Sequence, residues 1–195
     1  MGVTVAAFVA LVACVGLLRF VELGLSRRNQ MYLASRGARK ARDRYFPAMV
    51  ATHTAILIGA VLETVFLQRP FIPLLAAVAT MVFVLANGVR WWVIRTLARH
   101  WNVEVMDSAA LGVITSGPFR WVRHPNYAAV FAELASLPLI HTAWITAIAG
   151  SAVHAWVLSR RIALEEAVLH RHPGYVAAMA GKPRFLPRAD VRLPG

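Results

Sequence analysis

The sequence predicts an all-α integral membrane protein with about five transmembrane helices, the last two forming a tight hairpin, and with a pocket on the cytoplasmic side. Three observations favour this class. Hydrophobic residues make up 58% of the 195-residue chain and mean hydropathy is +0.57, whereas soluble domains contain about 45 to 50% apolar residues. The apolar residues are gathered in four long blocks joined by short polar connections. The Lys and Arg residues that give a net charge of +12 cluster in a few of those connections.

The first three blocks each predict one membrane helix. Residues 3–18 carry no charge, no basic region precedes them and no small-residue cleavage site follows, so they indicate a retained helix instead of a signal peptide. Residues 47–67 and 71–89 are each close to the ~20 residues that cross a ~30 Å hydrocarbon layer. His53 and Glu63 interrupt the second block without ending it.

The fourth block, residues 127–158, is too long for one crossing. Pro138 and the pair His141-Thr142 lie near its middle, where they favour a turn. The block therefore predicts a helical hairpin, whose short arms need not cross the bilayer fully.

The distribution of basic residues predicts the orientation. All but Arg19 and Arg69 of the 21 Lys and Arg residues lie between the first and second helices, between the third and fourth, or after the fifth. Basic residues in short loops are retained in the cytoplasm, so the amino terminus is expected outside a bacterial cytoplasmic membrane and the carboxyl terminus inside. Anionic lipid headgroups attract such clusters, which explains the positive charge without a nucleic-acid partner.

Several chemistries are excluded by what the sequence lacks. Cys14 is the only cysteine, so the chain has no intrachain disulfide, no CxxC pair and no cysteine zinc site. It contains no GxGxxG or GxxxxGK[ST] loop, no HExxH motif and no GxSxG motif. No metal site is therefore expected, and a nucleotide-like ligand would need a pocket of another kind.

Two polar segments flank the predicted hairpin and are expected to meet. The first, residues 117–127, reads GPFRWVRHPNY. Pro125 fits the first turn of a helix, where its missing N–H costs nothing, and the free amides behind it, with Arg123 and His124 beside them, would hold a carboxylate or a phosphate. Alternatively, Arg123 and the aromatic residues only anchor the helix at the membrane surface. Spacing alone does not decide between the two.

The second segment, residues 160–166, places Arg161 and Glu165 four positions apart on one helical face. This spacing fits either a surface ion pair, worth about 0.3 to 0.5 kcal/mol, or two groups that point into a shared cavity. Glu133 lies two turns inside the fourth helix. An ionisable residue there is expected to face a cavity, because exposure to lipid is expensive, so Glu133 is a candidate substrate contact.

A group of residues in the second half of the chain matches a known pattern. It comprises TSGPFRWVRHPNY at 115–127, Arg161, Glu165-Glu166, PGY at 173–175 and PRFLP at 183–187. Over residues 100–188 this pattern resembles the isoprenylcysteine carboxyl methyltransferase family of integral membrane methyltransferases. A more limited similarity, to bacterial members that methylate alkylpyrones or alkylresorcinols, comes from Arg19, Glu22, Arg28, Asn29, residues 45–47 and His53.

The resemblance implies one membrane domain over residues 1–195, with membrane helices in 1–94 and a cofactor-binding half in 95–195. It implies S-adenosylmethionine (SAM) in a cytoplasmic pocket and methyl transfer to a carboxylate or hydroxyl of a lipophilic acceptor that enters from the membrane lipid. The implied cofactor contacts are Glu104, Leu111, Gly112, Val113, Ile114, Phe119, His124, Pro125, Asn126, Tyr127 and Glu165. Arg161 and Glu165 are the implied catalytic residues, and Arg161 would address the acceptor. Glu133 remains a candidate substrate contact from its position in the fourth helix alone.

Two positions depart from the family pattern. Leu111 stands where many relatives have His, and Phe119 stands where they often have Tyr. A hydroxyl acceptor would also gain from a nearby base, for which Glu133 and His53 are candidates. His53 is otherwise interpreted, like His154, as a satisfied structural group.

Three other functions remain open from the sequence. A phospholipid N-methyltransferase would share the topology and the cofactor, and acceptor assays would separate it. A membrane reductase would bind NADPH instead of SAM. A non-catalytic membrane scaffold or lipid-binding protein would need neither Arg161 nor the RHPxY motif and would bind no cofactor.

Overall fold

The computed structural model describes residues 2–187 and is mainly helical. Within that range three helices are long and apolar enough to cross a membrane. They are α1 (Val3–Ser35), α2 (Phe46–Phe66) and α3 (Pro73–Leu97), the last followed by a 3-10 turn, Ala98–His100. The prediction of a mainly helical membrane protein is confirmed, and the number of five crossings stays a prediction. Arg188 and Arg192, two of the basic residues predicted to be cytoplasmic, lie outside the described residues.

The fourth apolar block forms a hairpin of α4 (Pro125–Leu139) and α5 (Trp144–Leu169). Thr142 lies in the turn with a φ of 54°, and its hydroxyl donates a hydrogen bond of 2.6 Å to the carbonyl oxygen of Pro70. α4 packs mainly against α3, and α5 packs against α2. At about 1.5 Å per residue, α4 is shorter than the ~30 Å hydrocarbon layer.

Glu63 joins α2 to the start of α5. Its carboxylate accepts hydrogen bonds from the backbone N–H groups of Ile145 at 3.0 Å and Thr146 at 2.7 Å. Arg69 Nη2 donates to the same carboxylate at 2.7 Å. A carboxylate at a helix amino terminus is stabilised by the free N–H groups and the helix dipole, so Glu63 has a structural role in the hairpin.

The first helix extends much further than its apolar block. Arg19, which the sequence places at a helix end, lies in the middle of α1. Near the end of α1, Asn29 Nδ2 donates to the carbonyl oxygen of Trp101 at 2.7 Å and to that of Ala98 at 3.2 Å. These bonds fasten the end of α1 to the chain that leaves α3.

The polar end of the bundle is formed by residues 98–124 and by α6 (Pro173–Met179). Two short strands cross it, β1 (Arg39–Lys40) and β2 (Met106–Asp107), which pair antiparallel. Their pairing joins the loop between α1 and α2 to the segment between α3 and α4.

Candidate active site

A cavity of about 440 Å³ lies between the helices and the polar end. Its walls come from α1 and α2, from Arg90 of α3, from residues 97–130, from α5 between His154 and Leu169, and from α6. Small-molecule sites commonly have volumes of about 300 to 1,000 Å³. The cavity therefore has the size of a ligand site, and it joins an apolar region between α1 and α2 to a polar region at the polar end.

The start of α4 forms part of the polar wall. Pro125 is the first residue of α4, as the sequence predicts, and His124 is its N-cap. Asn126 and Tyr127 follow in the first turn and line the cavity. Asn126 Oδ1 is buried and has no hydrogen-bond partner within residues 2–187, so it is available to a ligand.

The PRFLP segment holds this helix start from behind. The backbone N–H groups of Arg123 and His124 donate to the carbonyl oxygens of Pro183 and Arg184, each at 2.9 Å. A residue before Pro has a restricted backbone, and these two bonds fix it further. The downstream motif thus positions the RHPxY motif.

The two polar segments meet at the cavity wall, as their positions around the hairpin predict. The Tyr127 hydroxyl donates a hydrogen bond of 2.5 Å to the Glu165 carboxylate, and both side chains line the cavity. Tyr175 of α6 lies on the same wall. Burial, aided by the negative charge of Glu165, raises the pKa of Tyr175 to about 12. Its hydroxyl is therefore protonated at neutral pH and can donate a hydrogen bond.

The adjacent Glu166 has a different environment, because it does not line the cavity. Its carboxylate lies 3.1 Å from His124 Nε2 and 3.3 Å from Arg123 Nη2. Arg184 Nη2 donates to it at 2.5 Å. Burial alone would raise the pKa of Glu166, but the hydrogen bonds from Arg184 and His124 outweigh it and lower the pKa to about 2. Glu166, which lies beyond the apolar part of α5, is an ionised anchor for the start of α4.

Arg161 is buried at the cavity wall and has partners that its spacing did not predict. Its Nε donates to the Asp43 carboxylate at 2.9 Å, and its Nη2 donates to the Val103 carbonyl oxygen at 2.8 Å. Its Nη1 contacts Met49 Sδ at 2.5 Å. The surface ion pair with Glu165, one of the two interpretations of the spacing, is not formed.

Most of the residues implied as cofactor contacts come together in this cavity. The lining contains Glu104, Gly112, Val113, Ile114, Phe119, His124, Pro125, Asn126, Tyr127 and Glu165. Leu111 does not belong to it: the end of a 3-10 turn leaves its side chain 39% exposed, outside the cavity. The prediction of Leu111 as a contact is therefore not supported by its position.

Glu133 is fully buried but lies behind the cavity wall. It pairs with Arg19 of α1, and Arg90 Nη1 of α3 is 3.8 Å from its Oε2. Arg90 also donates to Glu22 of α1, at 2.9 Å from Nε. Two cations and two anions thus neutralise each other between three helices, which explains how they are accommodated at this depth. The sequence places Arg90 in the loop between the third and fourth helices. In the structure Arg90 lies within α3 and belongs to this network of charged side chains.

Sequence reasoning missed Asp43, Arg19, Glu22 and Arg90 as parts of the site. A signal existed for Asp43, because it is the only acidic residue in the otherwise basic stretch 27–44. The spacing of Arg19 and Glu22 on one face of a membrane helix was a second signal. Within the described chain, no group of three or more His, Cys, Asp and Glu side chains is arranged to hold a metal ion.

Comparison with known proteins identifies relatives of this chain. Residues 77–171 match the family model described as isoprenylcysteine carboxyl methyltransferase (ICMT) family. The protein YpbQ of Bacillus subtilis (strain 168) is 25% identical over 165 residues, which cover 85% of this chain and 98% of YpbQ. A protein of Haemophilus influenzae is 27% identical over 158 residues, which cover 80% of this chain and 91% of that protein. The names of these two relatives state no function.

Proposed function

We propose that this chain, which belongs through residues 77–171 to the isoprenylcysteine carboxyl methyltransferase family, transfers a methyl group from SAM to an oxygen atom of a lipophilic acceptor. One observation carries the proposal. Tyr127 of the RHPxY motif and Glu165 of the second motif are hydrogen-bonded at 2.5 Å on the wall of one cavity. Two motifs 38 positions apart therefore contribute to a single polar site.

The polar part of the cavity suits the functional groups of SAM. Glu104 and Glu165 offer carboxylates for an ammonium group and for ribose hydroxyls. Asn102 Oδ1 and Asn126 Oδ1 line the cavity and lack hydrogen-bond partners among the described residues, and so does Arg123 Nε, which suits a carboxylate. Buried polar atoms without partners are costly, so a ligand with complementary groups would stabilise this arrangement.

The chain's own contribution to the reaction is placement and exclusion of water. SAM, when bound, supplies an electrophilic methyl group on a sulfonium. Arg161 lines the cavity with its guanidinium fixed by Asp43 and Val103. A fixed positive charge at this position would orient the oxygen of the acceptor and stabilise negative charge on it.

The apolar part of the cavity suits a lipid tail. Its wall between α1 and α2 includes Phe20, Val50 and Ile58, whose side chains are 73%, 40% and 54% exposed. Exposed apolar side chains on membrane helices contact lipid, so the cavity is continuous with the bilayer at this point. An acceptor could keep its tail in the membrane while its polar head reaches Arg161.

The proposed orientation places the polar end in the cytoplasm of a bacterium, with the amino terminus outside. The SAM-binding groups and most basic residues then lie on the side where SAM is made and where basic loops are retained. This orientation agrees with the positions of Arg95, Arg99, Arg120 and Arg123 at or near the polar end.

Methyl transfer is tested with the purified protein in detergent, radiolabelled SAM and separate pools of farnesylcysteine, alkylpyrone, alkylresorcinol and phosphatidylethanolamine. Calorimetry measures SAM binding in parallel. We expect SAM to bind and label to enter an oxygen acceptor. No SAM binding would refute the proposed function, and labelling of phosphatidylethanolamine alone would identify an N-methyltransferase instead.

A further inference from the structure

Two histidines from different helices face each other inside the cavity. His53 of α2 and His154 of α5 have ring centroids 4.8 Å apart and planes inclined at 65°, and both line the cavity. His53 Nε2 and His154 Nδ1 are buried and have no hydrogen-bond partner in the part of the chain that the structure describes. These two ring nitrogens are therefore available to a ligand in the cavity.

Close packing of α2 against α5 explains why the two rings meet. Gly150 lies one turn before His154, and a Cβ atom added to it would come within 2.6 Å of Ile56 Cγ1 on α2. Further along the same contact, a Cβ on Gly59 would lie 3.2 Å from Thr146 Oγ1. Two glycines thus let the backbones of α2 and α5 approach each other closely, and this approach brings the imidazole rings of His53 and His154 into contact.

The histidine pair lies deeper in the bundle than Arg161, on the same cavity. His53 is one helical turn from Met49, whose sulfur contacts Arg161. His154 precedes Arg161 by seven positions, which corresponds to about 10 Å along one face of α5. Phe131 of α4 packs beside His154 at a centroid distance of 6.0 Å. A ligand that follows the cavity inward from Arg161 therefore meets two imidazoles, on a cavity whose wall also carries the charged side chains of Arg19, Glu22 and Arg90.

We propose that the His53–His154 pair accepts the proton of a hydroxyl group on the acceptor. The step breaks the O–H bond and forms an N–H bond on an imidazole, while the oxygen keeps the electron pair. The resulting negative charge faces the positive charge of Arg161. A carboxylate is already ionised at pH 7 and has no proton to give, so the pair points to a phenolic or enolic acceptor. This inference rests on the proposed function, because it concerns the acceptor of that reaction.

A chromophoric probe tests the proton transfer without SAM. An alkyl-substituted 4-nitrophenol changes its absorbance when it ionises, so the ionised fraction of the bound probe can be read directly at one pH near its own pKa. We expect a larger ionised fraction on the wild-type protein than in detergent alone. The double variant His53→Gln/His154→Gln should bind the probe and lose most of this increase.

His141→Gln provides the matched control. His141 is a buried histidine in the same bundle, packed on Phe8 and Phe71 and paired with the Thr4 hydroxyl at 3.3 Å, and it does not line the cavity. Its variant should ionise the probe as the wild type does. If the double variant also does so, the proposal is wrong.

Two further readouts separate this proposal from the proposed function. The double variant should bind SAM with unchanged affinity while methyl transfer to an alkylresorcinol falls about 100-fold or more, the usual contribution of a general base. Unchanged transfer would refute the pair's role, whereas a wild-type protein that binds no SAM would refute the function itself. If the double variant does not fold, ¹⁵N NMR of histidine-labelled wild-type protein tests the proposal instead. The ¹⁵N chemical shifts of two imidazole rings should change when the nitrophenol is added. Unchanged chemical shifts would overturn the proposal.

Discussion

The Asp43 carboxylate accepts a hydrogen bond of 2.9 Å from Arg161 Nε, across 118 positions of sequence. The Asp43 and Arg161 side chains are only 1% and 3% exposed. Asp43 also accepts a hydrogen bond of 3.0 Å from the backbone N–H of Tyr45, which places it at the start of α2. The loop between α1 and α2 thus fixes a guanidinium that the end of α5 supplies.

Asp43→Asn should reduce turnover of the acceptor by about tenfold or more, because one charge-assisted hydrogen bond is worth about 1.5 to 3 kcal/mol. SAM affinity should stay within about twofold, since Asp43 does not line the cavity. Kinetics with varied acceptor and calorimetry with SAM measure the two effects. Asp107→Asn is the control, because Asp107 pairs with His172 at 2.5 Å outside the cavity. Equal losses in the two variants would contradict a positioning role for Asp43, and Asp43→Glu should restore part of the activity.

Arg161→Lys should lower methyl transfer while SAM still binds. Lys keeps the charge but cannot reproduce the planar fork that reaches Asp43 and the Val103 carbonyl oxygen together. We expect a loss of roughly 10- to 150-fold in turnover, corresponding to one charged hydrogen bond, and a larger loss for Arg161→Ala. If SAM affinity, measured by calorimetry, fell in parallel with turnover across this series, Arg161 would belong to the SAM-binding groups instead.

The helices could be predicted from the sequence because a bilayer imposes a simple rule. Each spanning helix must be apolar over about 20 residues, so α2 and the start of α3 agree with the predicted blocks to within a few residues, whereas α3 continues eight residues beyond its block. The hairpin turn was also located, since Pro138 and the polar pair after it interrupt the apolar block. The end of α1 could not be predicted. The residues of α1 beyond Phe20 contact the polar segments of the protein, and the length of an apolar block does not reveal a helix that continues through such contacts.

The partners of the site residues could not be predicted. Arg161 and Glu165 share a helical face, but the tertiary fold brings Asp43 to one and Tyr127 to the other. Likewise, Glu133 has its charge neutralised by Arg19 of α1, a pairing between helices that no local spacing encodes. Sequence periodicity describes one element at a time, whereas these pairings depend on how separate elements pack.

Glu165→Gln should mainly weaken SAM binding and Glu166→Gln should mainly lower stability, although the residues are adjacent. Glu165 lines the cavity, so its variant should weaken SAM binding by roughly 10- to 150-fold, the effect of one charged hydrogen bond. Glu166 lies behind the wall and pairs with Arg184 and His124, so its variant should lower the melting temperature and affect SAM affinity less. Calorimetry and thermal unfolding in detergent test the pair. Weaker SAM binding in Glu166→Gln than in Glu165→Gln would reverse the assignment.

Single cysteines should report the orientation of the bundle. In a Cys14→Ser background, Ser35→Cys and Ser116→Cys lie at exposed positions near the polar end, and Gln68→Cys lies in the exposed turn between α2 and α3. An impermeant thiol reagent added to intact cells should modify only Gln68→Cys, because basic loops are retained in the cytoplasm. Modification of the two serine positions without Gln68→Cys would show that the bundle is inverted.

Gly150→Ala should destabilise the bundle although alanine favours helix. An alanine in place of a helical glycine stabilises by about 0.5 to 1 kcal/mol, but the new Cβ would lie 2.6 Å from Ile56 Cγ1. Since Cγ1 is held close to the α2 backbone, the clash is relieved only if the two helices separate, and such overpacking costs about 1 to 3 kcal/mol.

Gly88→Ala in α3 is the matched control, because a Cβ there meets nothing within 4 Å. Thermal unfolding in detergent should show a lower melting temperature for Gly150→Ala and an equal or higher one for Gly88→Ala. The separation would also move His53 from His154, so the ionised fraction of a bound nitrophenol should fall in Gly150→Ala alone. Equal melting temperatures in the two variants would mean that α2 and α5 do not depend on this close approach.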